Sequence, residues 1–349
     1  MAKNFFTRLK QETPTRLWIN NPTVSEVKLA IEHGAVSCTT NPTYGANMIR
    51  RDGEFARSLI RECLKQSNDD TVVADLTQQR LVARILPMFR PIFAASNGWD
   101  GVVSIQGDPR LDTDPDHILG EAFRYRSLGS NFIAKIPATA AGLKAMEVLI
   151  EDGIPVIATE VFGLSQMVAA CEVYRRAAAR GGKRPVFYVT HITGIFDEHL
   201  KEYVEKQGIQ IAPETLAVAG ATVARRQYRI MKERGYDGIL LGGGARGTHH
   251  FTDFVGGEFH ITINWSTAEE ILALNPPVTN QIALETPRAL IAELEQKLPD
   301  FRKAWREGEL AVEEFAEYKP VQRFRNQFIR GWNQLLDAIK EERGKGPAR

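Results

Sequence analysis

The sequence predicts an α/β fold, a (β/α)8 TIM barrel with additional C-terminal helices. Eight short apolar runs alternate with longer stretches of helical period, which is typical of that barrel. Several runs are apolar at consecutive positions, as in VVSI, FIAKI and GILL, and strands covered by helices on both faces show this pattern. After Asn275 the pair Pro276-Pro277 ends a helix and the alternation stops. A doubly wound open sheet is the alternative fold.

The predicted elements follow one another in a regular order. The predicted strands, each a short apolar run, are Arg16–Asn20, Ala35–Thr39, Gly101–Gly107, Asn131–Ile136, Pro155–Thr159, Val186–His191, Gly238–Gly243 and Phe259–Asn264. The predicted helices are Val24–His33, Thr71–Phe93, Asp116–Ser127, Ala140–Glu151, Gly163–Arg180, Ile195–Lys206, Thr215–Arg234, Thr267–Leu274, Leu284–Lys297 and Val321–Glu342. An insertion from Pro42 to about Asp70 follows the second strand. We expect an N-terminal extension over residues 1–14, a catalytic barrel over 15–275 and a helical extension over 276–349 packed on the barrel.

The last predicted helix carries an aromatic stripe. Phe324, Phe328 and Trp332 recur every four residues, and aliphatic side chains continue the same face. We interpret the stripe as the face that docks on the barrel. The alternative is that it leans over the mouth of the active site.

The composition excludes several classes of protein. The chain has 349 residues, and its 44 lysines and arginines nearly balance its 43 aspartates and glutamates, so charge gives no case for binding nucleic acid or an anionic membrane. The N-terminal segment lacks the apolar core of a signal peptide, and no run is long enough to span a membrane. Three cysteines without metal-site spacing indicate reduced thiols, and we expect a cytoplasmic protein. Adjacent His249 and His250 do not face one way, so we predict no metal.

Polar residues stand where the predicted strands end. Barrel enzymes carry their reactive groups at the C-terminal ends of the strands and in the loops that follow. The residues predicted at these positions are Asn20, Thr39, Asn41, Ser104, Gln106, Lys135, Thr159, His191, Thr262 and Asn264. Such a ring is rich in hydroxyls and amides and holds one amine, which suits a polyhydroxylated ligand such as a sugar.

Lys135 lies inside the apolar run FIAKI, where an unpaired ammonium is costly. Its amine would either form a salt bridge with a residue of a neighbouring strand, extend to the barrel rim, or act as a nucleophile. In the last case burial lowers its pKa, and the neutral amine attacks a carbonyl to form a Schiff base. The barrel setting and the polar ring favour the nucleophile.

The seventh predicted strand runs into the sequence GGGARG, which includes Gly244 and Arg246. Glycines leave backbone N–H groups open to an anion, and an arginine gives a bidentate contact to phosphate. This is the place where phosphate sites recur in barrels, so we predict a phosphate-binding loop. The alternative is a glycine-rich turn with a surface arginine.

Four segments together resemble the transaldolase family. They are SCTTNPT (37–43), VSIQGDPRLDTD (103–114), FIAKIPATAAGLKAMEVLIEDGIPVIATEVFGLSQ (132–166) and ERGYDGILLGGGARG (233–247). The resemblance implies a cofactor-free and metal-free Schiff-base mechanism, in which a three-carbon dihydroxyacetone unit passes from a ketose phosphate to an aldose phosphate. Related fructose-6-phosphate aldolases release or capture that unit instead.

The resemblance also implies residue roles. Lys135 falls on the Schiff-base lysine, and Asn41 on the asparagine that holds donor hydroxyls. Ser104 falls beside the intermediate, Thr159 on the threonine that positions the proton-relaying water, and Arg246 on a phosphate-binding arginine. We add Thr39 and Gly244 as expected substrate contacts.

Some positions depart from the family pattern. The first strand ends in Asn20 where transaldolases have an acid/base aspartate, and Gln106 replaces a glutamate, as it does in the aldolase-type members. The sixth strand, VTHITGIFDEH, lacks a phosphate-binding arginine, whose place falls to Gly194 or Ile195. His191 aligns with an acid/base tyrosine of the aldolase-type members. It therefore either takes over proton transfer or only hydrogen-bonds at the rim.

These features predict a transaldolase-like enzyme that acts on a sugar phosphate through Lys135. An aldolase-like carbon–carbon lyase with an altered substrate is the first alternative, because two acid/base carboxylates are amides. A non-catalytic sugar-phosphate-binding relative is the second. Whether the protein forms a homo-oligomer stays open.

Overall fold

The computed structural model of the protein describes residues 3–345 and shows a closed barrel of eight parallel strands. Each strand pairs with its sequence neighbours, and β8 closes the barrel against β1. The predicted (β/α)8 fold is thus confirmed, and the open sheet is excluded. The strands are β1 Arg16–Asn20, β2 Ser37–Thr39, β3 Val103–Ile105, β4 Phe132–Pro137, β5 Val156–Val161, β6 Phe187–Ile192, β7 Ile239–Gly243 and β8 Phe259–Ile263.

Seventeen helices surround and extend the barrel over the described residues. They are α1 Phe5–Glu12, α2 Val24–Glu32, α3 Tyr44–Arg51, α4 Gly53–Leu64, α5 Asp70–Ala83, α6 Leu86–Ala95, α7 Pro115–Tyr125, α8 Ala140–Glu151, α9 Leu164–Gly181, α10 Thr193–Gln207, α11 Pro213–Ala217, α12 Ala219–Glu233, α13 His249–Thr252, α14 Trp265–Leu274, α15 Arg288–Lys297, α16 Pro299–Trp305 and α17 Lys319–Gly344. Two 3-10 turns, Arg126–Leu128 and Val312–Glu317, complete the set. Within residues 3–345 no helix is both long and apolar enough to cross a bilayer.

The inside of the barrel is layered. Large apolar side chains form a buried cluster that includes Trp18, Ile133, Tyr188 and Leu241. Side chains two positions apart on a strand point to the same face. The residues two positions further along these four strands, which line the cavity described below, are Asn20, Lys135, Thr190 and Gly243. An apolar floor therefore carries a polar upper layer.

The turn that follows β4 is fixed locally. The Thr139 side chain caps α8 by accepting a hydrogen bond from the Gly142 backbone N–H at 3.1 Å. A Cβ at Gly142 would lie 1.9 Å from the Pro137 carbonyl oxygen, so no side chain fits there. This close approach anchors the end of the strand that presents Lys135.

Several helix predictions need correction. The single helix expected over 71–93 is α5 followed by α6, because Pro87 cannot continue the ladder of α5 and instead lies in the first turn of α6. The helix expected over 215–234 is likewise divided into α11 and α12. The insertion over 42–70 contains α3 and α4. Proline at 287 delays α15 to Arg288.

Helix α17 has two contact regions. Its first half places Phe324 and Phe328 at the cavity. Its second half packs Trp332 and neighbouring aliphatic side chains against a separate cluster that contains Ile60 and Val73. Both interpretations of the aromatic stripe therefore hold, each for one half of the helix. The domain boundaries at residues 15 and 276 stay predictions.

Candidate active site

A cavity of about 210 Å³ opens where the strands end. Its polar lining comprises Asn20, Asn21, Thr39, Asn41, Thr43, Asn47, Lys135, Thr190, Arg246, Thr262, Asn264 and Gln327. Its apolar lining comprises Ile192, Ile195, Phe324 and Phe328. Among the described residues that line it there is no carboxylate. The cavity therefore offers amides, hydroxyls and two cationic groups to a ligand.

Lys135 is the buried amine of this cavity, with 7% of its surface exposed. Its Nζ donates a hydrogen bond to the Thr40 carbonyl oxygen at 3.3 Å and lies 5.9 Å from the ring centroid of Phe328. No salt bridge to Lys135 exists within residues 3–345. Burial lowers the pKa of Lys135 from 10.5 to about 8, against the opposing effect of the Glu160 carboxyl. A much larger fraction of this amine than of an exposed lysine is therefore neutral and nucleophilic near neutral pH.

Side chains from β1, β2 and the end of β8 form one continuous chain of hydrogen bonds along a wall of the cavity. The Asn20 amide donates to Asn264 Oδ1 at 2.9 Å, and Asn20 Oδ1 accepts from the Thr39 hydroxyl at 2.9 Å. Thr39 also contacts the Thr262 hydroxyl at 2.7 Å. We call these four residues the amide wall. Their orientations are fixed by one another, so they present a preorganised polar surface.

Asn41 stands beside this wall and lines the cavity. Its Oδ1 accepts hydrogen bonds from the Thr43 backbone N–H at 3.0 Å and from the Thr43 hydroxyl at 2.7 Å. Both of these partners hold the oxygen, so the side-chain NH2 is oriented away from them. That group is available to donate to a ligand hydroxyl.

Three predicted residues lie deeper, outside the cavity lining. Ser104 Oγ accepts a hydrogen bond from the Thr40 backbone N–H at 3.1 Å and so supports the segment that follows β2. Gln106 is 3% exposed, and its Nε2 donates to Glu160 Oε1 at 3.0 Å. Thr159 is fully buried, and its hydroxyl has no partner among the described residues.

Glu160 is the residue that sequence reasoning missed. It follows Thr159 on β5 and is 1% exposed. Its φ of 62° lies in the left-handed region that residues other than glycine rarely adopt, and the β5–β6 register shifts at this point. The Gln166 amide holds the turn by donating to the Glu160 carbonyl at 3.0 Å. A charged residue inside the apolar run VIATEVF was the available signal.

The structure does not bring His191 to the cavity. Its neighbours on β6, Thr190 and Ile192, line the cavity, so the His191 side chain points to the opposite face. There it lies among α12 residues, close to Gly220 and Gln227. Burial lowers its pKa to about 3, which keeps the ring neutral. We therefore do not assign His191 to the proton relay.

The loop after β7 contributes Gly244 and Arg246 to the cavity. Arg246 is 37% exposed, and its Nε donates to Glu198 Oε1 at 2.7 Å. Gly194 packs directly beneath this loop, since a Cβ there would lie 2.6 Å from the Gly244 carbonyl oxygen. Ile195 lines the cavity beside it. An apolar wall thus stands at Gly194 and Ile195, where the resemblance to transaldolases implies a phosphate-binding arginine that this chain lacks.

A second interaction fixes the same loop from behind. The Arg246 backbone N–H donates to His250 Nδ1 at 3.1 Å, and His250 Nε2 lies 3.0 Å from Asp197 Oδ2. Because Nδ1 accepts this hydrogen bond, Nε2 carries the hydrogen and donates a hydrogen bond to Asp197 Oδ2. Asp197 Oδ1 in turn accepts from the Gly220 backbone N–H at 2.8 Å. His250 is therefore a positioning residue for the loop.

Comparison with known proteins finds relatives named transaldolase. The "Transaldolase" of Arthrobacter sp. (strain FB24) is 28% identical over 214 residues, which cover 59% of this chain and 57% of that protein. That of Thiobacillus denitrificans is 31% identical over 44% of this chain and 43% of that protein. That of Parafrankia sp. (strain EAN1pec) is 26% identical over 91% of this chain and 90% of that protein.

The match to the first of these relatives spans less than three fifths of its length. Among solved structures, the crystal structure of a 2,3-dimethylmalate lyase aligns over 100% of this chain and 99% of that chain, at 12% identity and with a TM-score of 0.33. The family model described as "Transaldolase/Fructose-6-phosphate aldolase" matches residues 17–339, nearly the whole chain. The chain therefore belongs to the transaldolase/fructose-6-phosphate aldolase family.

Proposed function

We propose that the protein forms a Schiff base between Lys135 and the carbonyl carbon of a ketose and transfers a three-carbon dihydroxyacetone unit to an aldose. The observation that carries the proposal is a buried lysine that forms no salt bridge within residues 3–345 and lines a polar cavity, in a member of this family. Desolvation keeps part of this amine neutral, which nucleophilic attack requires. The iminium then accepts the electrons of the neighbouring carbon–carbon bond.

The cavity residues supply the binding side of this reaction. Asn41 donates its free NH2 to a hydroxyl of the three-carbon unit, and the amide wall receives the remaining hydroxyls. Arg246 exchanges its contact with Glu198 for the phosphate of the donor or acceptor sugar, which its bidentate geometry fits. Phe328, whose ring centroid lies 5.9 Å from Lys135 Nζ, and the adjoining Phe324 limit the access of water to the amine.

A second function, cleavage and formation of the same bond with free dihydroxyacetone, has its own supporting observation. No carboxylate lines the described cavity, and Gln106 is an amide, as in the aldolase-type members of the family. Transfer requires the enamine to persist until an aldose binds, whereas cleavage requires that the enamine be protonated and that water hydrolyse the resulting iminium. The two functions share Lys135 and differ in the fate of the enamine.

The decisive experiment is trapping with borohydride. The protein is incubated with fructose 6-phosphate or dihydroxyacetone, reduced, and examined by intact mass and peptide mapping. We expect one adduct on Lys135 in the native protein and none in Lys135→Met. The matched control is Lys144→Met, which alters an exposed lysine on α8 and should leave the adduct unchanged.

The same samples separate the two functions. Addition of erythrose 4-phosphate to the unreduced complex should discharge the enamine and yield a new ketose if the protein is a transferase. Release of dihydroxyacetone without an acceptor identifies the aldolase. No adduct with any ketose would contradict both functions and leave a sugar-phosphate-binding protein.

A further inference from the structure

Glu160 presents an unusual combination of features next to the proposed nucleophile. Its carboxyl is buried, its backbone is in the left-handed region, and its Oε1 accepts the only hydrogen bond that the described residues give the carboxyl, from Gln106 at 3.0 Å. A strained backbone at a non-glycine residue persists when the surroundings enforce it, and it concentrates at functional sites. A buried carboxyl with so few hydrogen bonds is costly as an anion.

Three unpartnered polar atoms belong to Glu160 itself, to its hydrogen-bond partner Gln106 and to its chain neighbour Thr159. Glu160 Oε2, Gln106 Oε1 and the Thr159 hydroxyl are all buried, and none has a hydrogen-bond partner among the described residues. Three polar atoms of this kind are the number that one buried water commonly contacts. These atoms belong to the end of β3 and to β5, and we call the three residues the relay wall. It adjoins β4, which carries Lys135.

The charged groups around Glu160 come from several elements. Those that act on it are Lys135 of β4, Asp112 of the loop after β3 and Arg325 of α17, while the Cys38 thiol of β2 acts on Lys135. Arg325 approaches Asp112 Oδ1 at 2.8 Å. Burial and Asp112 raise the pKa of Glu160 far more than Gln106, Lys135 and Arg325 lower it. Burial also raises the pKa of Cys38, so the thiol stays neutral.

We propose that Glu160 is the proton-holding residue of the relay, acting on the substrate through a water held by Thr159 and Gln106. The carboxyl that transaldolases carry on the third strand is thereby supplied from the fifth strand. This proposal rests on the proposed function, since it concerns the Schiff-base reaction of Lys135. Glu160 does not line the cavity, so it is a positioning and relay residue and reaches the reacting atoms through one water.

In the cleavage of the donor, Glu160 gives up one proton and later takes one back, so it ends in its starting protonation state. After Lys135 attacks the ketose, Glu160 gives its proton to the hydroxyl of the carbinolamine. That hydroxyl leaves as water, and the carbon–nitrogen bond becomes an iminium. The Glu160 carboxylate then takes the proton of the C4 hydroxyl while the C3–C4 bond breaks. The electron pair of that bond forms the C2–C3 double bond, the iminium becomes a neutral enamine, and the aldehyde leaves.

The test removes the carboxyl from position 160, which follows Thr159 on the fifth strand, and restores one at position 106, at the end of the third strand. Glu160→Gln should lower kcat/KM by about 100-fold or more, the typical contribution of a positioned acid/base group. Gln106→Glu placed in that variant should recover at least about tenfold, because it returns a carboxyl to the third strand. The matched control is Glu342→Gln, which alters a buried carboxyl of α17 that pairs with Arg57 and Arg61 and should leave kcat/KM unchanged.

The pH profile of kcat/KM distinguishes a proton-transfer role of Glu160 from a purely structural role. The native kcat/KM should rise as Lys135 loses its proton and fall as Glu160 loses its own, giving a bell with macroscopic pKa values. Glu160→Gln should lose the falling limb at high pH. The proposal is overturned if Glu160→Gln is slow but keeps the falling limb, and if adding Gln106→Glu does not raise its rate. It is also overturned if Glu160→Gln retains the native rate.

If Glu160→Gln does not fold, a second variant, Gln106→Met, tests the role of Glu160 in proton transfer. The Gln106 hydrogen bond lowers the pKa of Glu160, so Gln106→Met should raise that pKa and shift the falling limb to higher pH. An unmoved limb contradicts the proposal. Failure of the proposed function gives a different result, namely the absence of any borohydride adduct on native Lys135.

Discussion

The two polar walls of the barrel mouth differ in how their hydrogen bonds are satisfied. In the amide wall every side chain bonds to another, from Asn20 and Thr39 to Thr262 and Asn264. In the relay wall each member retains a buried atom without a partner in the described residues. Networks that satisfy themselves are rigid and suit recognition, whereas unpartnered groups have capacity for a reacting proton. On this contrast we propose that the amide wall binds substrate and that the relay wall transfers the proton.

The same substitution on both walls gives the largest expected effect. Thr159→Val keeps the volume and removes a hydroxyl that bonds to no described residue, so the fold should be unaffected. If that hydroxyl positions the relay water, kcat should fall by about 100-fold. Steady-state kinetics on a ketose phosphate, with thermal unfolding beside them, measure both effects.

Thr262→Val is the matched control on the amide wall. It breaks the 2.7 Å contact with Thr39 and should cost about 1 kcal/mol of unfolding free energy. Its kcat should change much less than that of Thr159→Val. Equal losses of kcat in the two variants would remove the distinction between the walls.

Sequence reasoning predicted one wall better than the other for a physical reason. All four residues of the amide wall were predicted at the strand ends because strand alternation and strand order place them there, and so were Thr159 and Gln106 of the relay wall. Glu160 was missed because its position depends on a left-handed residue and a register shift, which turn the carboxyl toward Gln106. Strict alternation along a strand does not predict such a turn.

The loop after β7 shows the same limit. GGGARG predicted Gly244 and Arg246 at the cavity, and both line it. The tight packing of Gly194 against this loop could not be predicted, because it joins segments that are 50 residues apart in sequence. The contacts of His250 with Arg246 and Asp197 depend on the same tertiary arrangement.

Gly194→Ala should give an effect of intermediate size. The new Cβ would lie 2.6 Å from the Gly244 carbonyl oxygen and 2.9 Å from the Arg246 backbone nitrogen, so the loop must shift. We expect KM for a phosphorylated ketose to rise by about tenfold, equivalent to roughly 1.4 kcal/mol of binding. The rate with dihydroxyacetone, which lacks phosphate, should change little.

Gly53→Ala provides the matched control for this prediction, because a Cβ at Gly53 meets no atom within 4 Å. Its KM for both substrates should equal the native values. If Gly194→Ala raises KM for the phosphorylated and the unphosphorylated substrate alike, the loop does not bind phosphate. The apolar wall at Ile195 would then indicate a donor with a different terminal group.

The smallest expected effect belongs to His191→Gln. Because His191 points away from the cavity toward α12, and because its ring is already neutral, glutamine preserves its charge state and much of its polarity. We expect kcat to stay within about threefold of the native value, a change of less than 1 kcal/mol in the activation free energy. The pH dependence of kcat should keep its native shape. A large loss of turnover with normal borohydride trapping at Lys135 would instead give β6 a part in proton transfer, and the relay would no longer lie on the β3–β5 side alone.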